Sequence, residues 1–484
     1  MKIAVVHGYF LHDSGSGVYV RELTRALVRL GHEITLVCQD REPERCDFID
    51  SMYTLDATNE ILTLAYEAPS TMAGTCRLVR PDVGGELLVY AEGRFPPFDR
   101  ERIHAFQNAS VRSRTRYVDR NVRALRTVFA TWLPELVIAQ HVIMQPYVVA
   151  KALEGRAPYV VTEHGSALNF SVRASESLVP FAIEGLSGAA RIATVSQGAR
   201  EDLIGWAGER GLSIAEKTVA MPPGIDGTLF APSACREDAL AALRERVELP
   251  AGFELSVNDD IIAFAGALRP TKGIQHAVAA LPLISRLRGK HTRLLVAGDG
   301  PARGPLEVLG AFVDSGDVEG AKRLVESESA LQSPRLWGEV VHGEAAVSGG
   351  RRVAFLGHLE HEQLAAVYAA ADVCVAPSVF PEAAALVNVE GLSAGATPVA
   401  AYHSGMIDLD DLLADALHDA AFAQLVPGPD FTRRLARAID HVLDAYPTKE
   451  TGFRWNLHEL AESRYPTWEE TAQDYVAMGN QAGG

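Results

Sequence analysis

The chain has few cysteines. Cys38, Cys46, Cys76, Cys235 and Cys374 are five among 484 residues, and they follow no paired or metal-like spacing. That excludes a disulfide framework and a cysteine-based zinc site. Cys38 and Cys374 lie in apolar strand-like runs and read as small buried hydrophobes. A reducing compartment follows, and a cytoplasmic location is expected. Positive charge is also scarce. Lys and Arg number 45 against 62 Asp and Glu, a formal net charge of −17. Such a chain is repelled by nucleic acid and by an anionic bilayer, so no nucleic-acid partner and at most peripheral membrane contact are expected. No apolar run is long and helical enough to span a bilayer. The opening MKIAVVHGYF enters a strand at once, without the pattern of a secretory leader. Internal repeats and low-complexity tracts are missing too. What remains is ordinary globular composition, 48% hydrophobic and 22% charged, at a length that suits two or three domains.

Strands and helices alternate from the start. Lys2 to His7 is a buried strand, GYFLHDSGSG a loop, and VYVRELTRALVRLG a helix with Val20, Leu23, Leu27 and Leu30 at helical spacing. HEITLVCQD returns as a strand. A dinucleotide fingerprint would need a third glycine right at the strand end. Here Gly15-Ser16-Gly17 is followed by Val18-Tyr19-Val20, and the loop is too long. Gly15 and Gly17 still allow backbone to approach an anion at a helix start. The other reading is a flexible turn. Residues 41–110 read poorly, with LLVYAEG a strand and RFPPFD a turn. A long helix follows from Asn108, carrying Arg112, Arg114, Arg116, Arg120, Arg123 and Arg126. It is either a solvated face or a contact for an anionic acceptor or membrane. ELVIAQHV, with His141, and APYVVTEHG, ending Glu163-His164-Gly165, are further strands. Ser196 suits a helix N-cap. TVAMPPGIDGTLFAPS, rich in Pro and Gly, suits a domain boundary.

The second half repeats the architecture without repeating the sequence. A helix spans about Arg236–Val247. DIIAFAGALRPTKGIQHAVAALPLI is strand, loop and helix, with Arg269 and Lys272 at the helix start. Cations there oppose the helix dipole unless an anion sits among them, a local conflict of the kind that marks a site. Residues 302–350 exceed one crossover helix and include an acidic helical stretch at Asp317–Ser329. VAFLG then ends on Gly357, and HEQLAAVYAAA is a helix with Leu364, Val367 and Tyr368 on one face. DVCVAPS is a buried strand. Glu382 lies in the turn after it. Glu390 lies eight residues on, about two turns up the next helix and on the same side. Carboxylates only accept hydrogen bonds, so two of them suit a hydroxyl-rich ligand. Ala383 to Leu386 offer backbone N–H groups at a helix start. FAQLVPGPDFTRRLARAIDHVLDAY is a strand and a helix, and Trp468–Met478 is the last helix. Parallel doubly wound sheets place ligands outside the carboxyl ends of their strands.

PEAAALVNVEGLSAGATPVAA resembles the Glu-x7-Glu signature of retaining GT-B glycosyltransferases, specifically family 4. Gly266, Arg269, Lys272 and Gly273 are similar to that family's Gly-Arg-x-x-x-x-Lys-Gly pattern. Two departures stand out. Ala384 and Ala385 replace the usual aromatic residue and glycine, and the usual Asn of the hinge is absent before Gly224, Ile225 and Asp226. The resemblance implies an α/β GT-B fold, two Rossmann-like doubly wound domains facing a cleft. The expected division is 1–228 with a returning helix at 465–484, and 229–464. It implies transfer of a sugar from a UDP- or GDP-linked donor to a hydroxyl-bearing acceptor, whether small molecule, glycan or lipid-linked, with retention. It implies catalytic roles for His164, Arg269, Lys272 and Glu382. Donor contacts are implied for Gly15, Gly17, Gly266, Arg269, Lys272, His358, Leu359, Glu382, Ala385, Leu386, Val387 and Glu390, with Glu382 on the sugar and Glu390 on the ribose. No metal or further cofactor is expected, since no Asp-x-Asp motif stands near these residues. Two other readings stay open: another GT-B enzyme, such as an epimerase or hydrolase, and a non-catalytic sugar-nucleotide-binding subunit.

Overall fold

The computed structural model describes residues 1–12, 14–90, 103–332, 351–384, 386–417 and 425–482. The chain forms two compact units. One comprises Met1–Gly224 and Pro466–Gly484, the other Ile225–Tyr465.

Unit 1 is built on β1 (Lys2–Val6), α1 (Gly15–Arg29), β2 (Glu33–Val37), β3 (Ser51–Leu55), β4 (Leu62–Glu67), β5 (Thr75–Arg80), β6 (Leu87–Val89) and β7 (Ile103–Ala105). It continues with α2 (Val111–Thr131), β8 (Leu136–Gln140), α3 (Gln145–Leu153), β9 (Tyr159–Glu163), α4 (Val179–Ser187), β10 (Arg191–Thr194), α5 (Gln197–Gly208) and β11 (Thr218–Ala220). Nine strands make one sheet in the order β11-β10-β9-β8-β1-β2-β5-β3-β4, and β6 and β7 form a separate pair. Every pairing in the large sheet is parallel except β3 with β4 at the edge. The apolar runs of β1, β8 and β9 are buried on both faces, as a helix-covered parallel sheet demands.

Serine caps set the helix starts. Ser14, Ser110 and Ser196 accept from the N–H of Gly17, Ser113 and Ala199. Each such cap is worth about 1 kcal/mol. Gly15 and Gly17 therefore lie in the first turn of α1 and not in the loop expected from the sequence. Likewise α2 begins at Val111 rather than Asn108. Unit 1 is completed by the chain's last helix, Trp468–Ala482. The Tyr475 hydroxyl bonds to the Tyr19 hydroxyl at 3.0 Å and to Thr162 Oγ1 at 2.7 Å, and the Trp468 and Tyr19 rings meet edge to face at 5.2 Å.

Unit 2 comprises α6 (Arg236–Arg246), β12 (Asp260–Ala265), α7 (Ile274–Arg288), β13 (Thr292–Ala297), α8 (Arg303–Ser315), α9 (Val318–Ser327) and β14 (Val353–Gly357). After these come α10 (His361–Ala370), β15 (Val373–Ala376), α11 (Leu386–Ser393), β16 (Thr397–Ala400), α12 (Ile407–Ala416), α13 (Phe431–Ala445) and α14 (Thr451–Arg464). The last helix of unit 1 is accordingly α15. Five parallel strands run in the order β14-β13-β12-β15-β16. The order reverses between β12 and β15, so the crevice for a ligand opens at their carboxyl ends.

The strand expected at about 421–426 falls mostly outside the described residues; Leu425 makes one parallel bridge to Ala401. The sequence reading left α14 unassigned. Its anchor is the buried Arg454, whose guanidinium donates to the carbonyls of Ala369, Ala371 and Ala394. These are the closing residues of α10 and α11, where free carbonyls favour a cation. A helix whose buried residues include Arg454 and His458 beside Leu457 and Ala461 carries little apolar periodicity.

Candidate functional site

In unit 2 the crevice between β12 and β15 is built from two stitched loops. The first runs from Gly266 to Gly273 and the second from Pro377 to Glu382. Val379 N–H donates to Thr271 O at 2.9 Å. Gly273 has φ +70°, and a Cβ there would lie 1.8 Å from the Pro377 carbonyl oxygen. Only glycine lets the loops come this close.

The side chains converge at this point. Lys272 Nζ lies 2.7 and 2.8 Å from the two oxygens of Glu382, and Ser378 Oγ donates to Oε1 at 2.9 Å. The loop is braced from behind: Gly405 N–H donates to Glu382 O at 2.8 Å, and His403 Nε2 donates to Ser378 O at 2.7 Å. The Lys272 side chain keeps a third of its surface exposed and that of Glu382 a fifth. An ammonium has three N–H donors, and the carboxylate engages two of them. The pair is therefore reachable, with one ammonium donor left for a ligand.

Arg269 ends the extended segment directly before the short turn Pro270–Lys272. Glu390 is buried, one turn into α11 rather than two, because the helix starts only at Leu386. It lies near the buried Tyr368 hydroxyl, whose pKa is pushed well up by burial and then by the Glu390 charge. Glu382 precedes the helix, so the two glutamates do not share a helix face. Leu386 and Val387 are half-buried, and Val387 packs on the core beside α10. Ala385 lies outside the described residues. His358 is half exposed, 4.0 Å from Glu360, while Leu359 packs against the same core as Val387.

Unit 1 gathers a second cluster at the carboxyl ends of the adjacent strands β1, β8 and β9. His7 follows β1, His141 follows β8 and His164 follows β9. The rings of His7 and His141 stack at 5.7 Å, and those of His141 and His164 lie 4.9 Å apart. Tyr90 approaches His141 at 4.1 Å and Tyr19 approaches His164 at 5.0 Å. Burial lowers all three imidazoles: His7 to about 4, His164 to about 3, and His141 well below the ordinary histidine value. They are neutral at pH 7. His164 Nε2 meets Gln140 Oε1 at 2.7 Å.

Beside them Glu163 is buried, with one oxygen accepting from Gly165 N–H at 2.6 Å. Burial pushes its carboxyl up to about 8. Among the described residues, both ring nitrogens of His141 and Gln140 Nε2 are buried without a hydrogen-bond partner. Each unmet bond costs about 1–3 kcal/mol, so these atoms suit a polar group.

The sequence pointed to His164, and the structure adds His7, Gln140, His141 and Tyr90. The shared position at strand ends was the available signal. Gly17 lies in the first turn of α1, against Phe10 and Leu11. Gly17 is needed for packing, since a Cβ would lie 2.8 Å from Phe10 O. No group of three or more His, Cys, Asp or Glu among the described residues is placed to hold a metal ion.

Two Rossmann-like units, each with a parallel sheet, are the architecture of the GT-B glycosyltransferases. Residues 14–224 match the glycosyl transferase 4-like domain model and residues 259–445 the glycosyl transferases group 1 model. The two matches together take in most of the chain, and it belongs to the family 4-like GT-B glycosyltransferases.

The D-inositol 3-phosphate glycosyltransferases of Mycobacterium bovis and Mycobacterium tuberculosis are 29% identical over 266 residues, 54% of this chain. That match spans only 43% of the relatives' length. Sucrose-phosphate synthase from Thermosynechococcus elongatus shares the fold with a TM-score of 0.64 at 21% identity, over 99% of this chain and 98% of that one. Anabaena HepE, solved with UDP and glucose, has a TM-score of 0.57 at 17% identity, over 100% and 98%. No helix among the described residues is long and apolar enough to cross a membrane.

Proposed function

We propose that the chain is a retaining hexosyltransferase that moves a sugar from a nucleoside diphosphate donor, UDP- or GDP-linked, to an acceptor hydroxyl. The observation that carries this reading is the braced Lys272–Glu382–Ser378 group at the switch point of unit 2. Lys272 and Arg269 face the diphosphate. Glu382 accepts from the sugar hydroxyls. Glu390, buried behind them, accepts from the ribose.

In the reaction the acceptor oxygen bonds to the anomeric carbon on the face from which the diphosphate leaves. The bond from that carbon to the phosphate oxygen breaks, and the acceptor's proton passes to the departing phosphate. Charge grows on the leaving oxygen as this happens, and fixed cations stabilise it. In unit 1 the neutral His164 and its neighbours offer hydrogen bonds to hydroxyls without adding charge. That HepE was solved with UDP and with UDP-glucose supports the donor class. The name of the mycobacterial relatives makes a polyol phosphate the first acceptor to try.

The test is a thermal-shift screen of UDP, GDP and ADP, followed by turnover with the matching sugar donor. A ligand bound only by the folded chain raises its melting temperature. Stabilisation by one diphosphate and an axial-for-axial product by NMR are expected. Free sugar or an epimer formed without acceptor replaces this reading with hydrolysis or epimerisation. Binding without any turnover replaces it with a non-catalytic subunit.

A further inference from the structure

The arginines of α2 lie outside the proposed donor site of unit 2. Arg112, Arg116, Arg120 and Arg123 stand four, four and three residues apart on α2, which is a single stripe. With Ala57, Thr58, Thr115 and Asp119 they line a pocket of about 510 Å³. Four guanidiniums repel one another along a helix, so the stripe costs stability unless anions offset it. Intramolecular anions offset only part. Arg116 donates to Glu86 at 2.9 Å, and Arg120 to Asp82 at 2.6 Å.

Arg120 also donates to the Ala57 carbonyl at 3.1 Å and lies over Gly84, where a Cβ would touch its Nε at 2.8 Å. Arg120 is thus the fixed floor. Among the described residues Arg123 donates only to the Thr58 carbonyl, at 3.4 Å. Arg112 is exposed and has no hydrogen-bond or ion-pair partner among the described residues. Within a chain of net charge −17, this is a local concentration of guanidinium donors with hydroxyls of Thr58 and Thr115 beside it.

Its place in the fold is informative. β3 runs parallel to β5, so the β3–β4 turn holding Ala57 and Thr58 lies beyond the carboxyl ends of the strands. The same half of α2 sends Tyr117 to Gln145 at 3.0 Å, next to Gly8 at the end of β1. The pocket thus flanks the edge that carries the histidine cluster.

We propose that this pocket binds a phosphate group. Arg112, Arg116 and Arg123 supply the forked N–H donors that match phosphate oxygens. Arg120 holds the floor, Thr115 accepts from or donates to the rest of the ligand, and Thr58, whose hydroxyl already donates to Asp56 at 2.7 Å, accepts only. The volume exceeds one phosphate and falls within the range of small-ligand sites, so a phosphorylated small molecule fits. The proposal does not depend on sugar transfer, since none of these residues belongs to the proposed donor site.

The experiment titrates inorganic phosphate by calorimetry at low ionic strength into the full chain, its R112E/R123E variant and its K272A variant. Saturable, salt-sensitive binding is expected, weakened about 10- to 100-fold in R112E/R123E and retained in K272A. An R112Q/R123Q variant, which adds no negative charge, should show the same loss with an unchanged ligand-free melting temperature. A second arm sediments the protein with phosphatidic acid vesicles, because Val111 and Ile61, next to these residues in sequence, are 72% and 63% exposed. Binding of free phosphate assigns a soluble ligand. Binding of vesicles alone, lost in R112E/R123E, assigns a lipid headgroup. No binding in either arm, or phosphate binding unchanged in R112E/R123E, or lost only in K272A, overturns the proposal.

Discussion

Gly273→Ala tests whether the stitched loops of unit 2 are the working part of the site. Gly273 and Gly289 bracket the same helix, α7, at φ +70° and φ +63°. A Cβ at Gly289 meets nothing within 4 Å, whereas one at Gly273 lies 1.8 Å from Pro377 O. Gly289→Ala therefore measures the left-handed strain alone, about 1–2 kcal/mol. Gly273→Ala adds an overlap with backbone on a braced loop, and overpacking of that kind costs about 1–3 kcal/mol more. In a domain of this size each kcal/mol lowers the melting temperature by about 2–4 °C.

The kinetic consequence separates the two further. Relieving the overlap moves one loop by about 1 Å, and Lys272 and Glu382 sit one on each loop. A misplacement of about that size can cost 10²-fold in rate. Calorimetry and steady-state kinetics on both variants are the assay. Gly273→Ala should lose more stability than Gly289→Ala, and it alone should lose kcat. Equal losses of stability with normal turnover in both would refute the argument that the close approach holds the site together.

Four further outcomes are expected. Lys272→Ala should lower kcat by about 10²- to 10³-fold, because an interaction that strengthens in the transition state is lost; a change confined to KM would reverse the assignment. Glu390→Ala should weaken nucleotide binding by about 1.5–3 kcal/mol with kcat largely kept, read by calorimetry with the matching nucleoside diphosphate. The depressed histidines make the fold acid-labile. Their stabilising effect is full above pH 6.5 and is lost as pH falls toward about 4 for His7 and about 3 for His164. His141→Asn, a residue that tolerates the φ of +68° there, should flatten that slope by up to one proton, about 1.4 kcal/mol per pH unit; an unaltered slope would mean His141 titrates normally. Turnover should persist with a chelator present, and loss restored by magnesium or manganese would show a metal requirement.

The alternation of apolar runs with helical spacing made both sheets legible, because parallel strands buried on two faces leave continuous Val, Ile and Leu runs. Lys272, Glu382 and Glu390 were legible from motif spacing. Their geometry was not: whether Lys272 reaches Glu382 depends on a loop approach set by the missing side chain of Gly273. The start of α1 was misjudged because Gly15 and Gly17 read as loop formers, while Ser14 caps the helix in front of them. The histidine cluster was only a third visible. Three residues at 7, 141 and 164 become neighbours solely through strand order. The arginine stripe was visible as composition, but which arginines are already neutralised depends on Glu86 and Asp82, far away in sequence.

The placement of α15 has a consequence for synthesis. Tyr475 completes a hydrogen-bonded trio with Tyr19 and Thr162, and Gly479 sits so close to Leu136 that a Cβ would lie 2.6 Å from it. On the ribosome, unit 1 emerges first, yet all of unit 2 must be translated before its closing helix exists. Until then β8 and α1 expose the apolar surface that α15 will cover. The half of the protein made first is the half finished last, and a nascent chain stalled anywhere in unit 2 carries an open N-terminal domain.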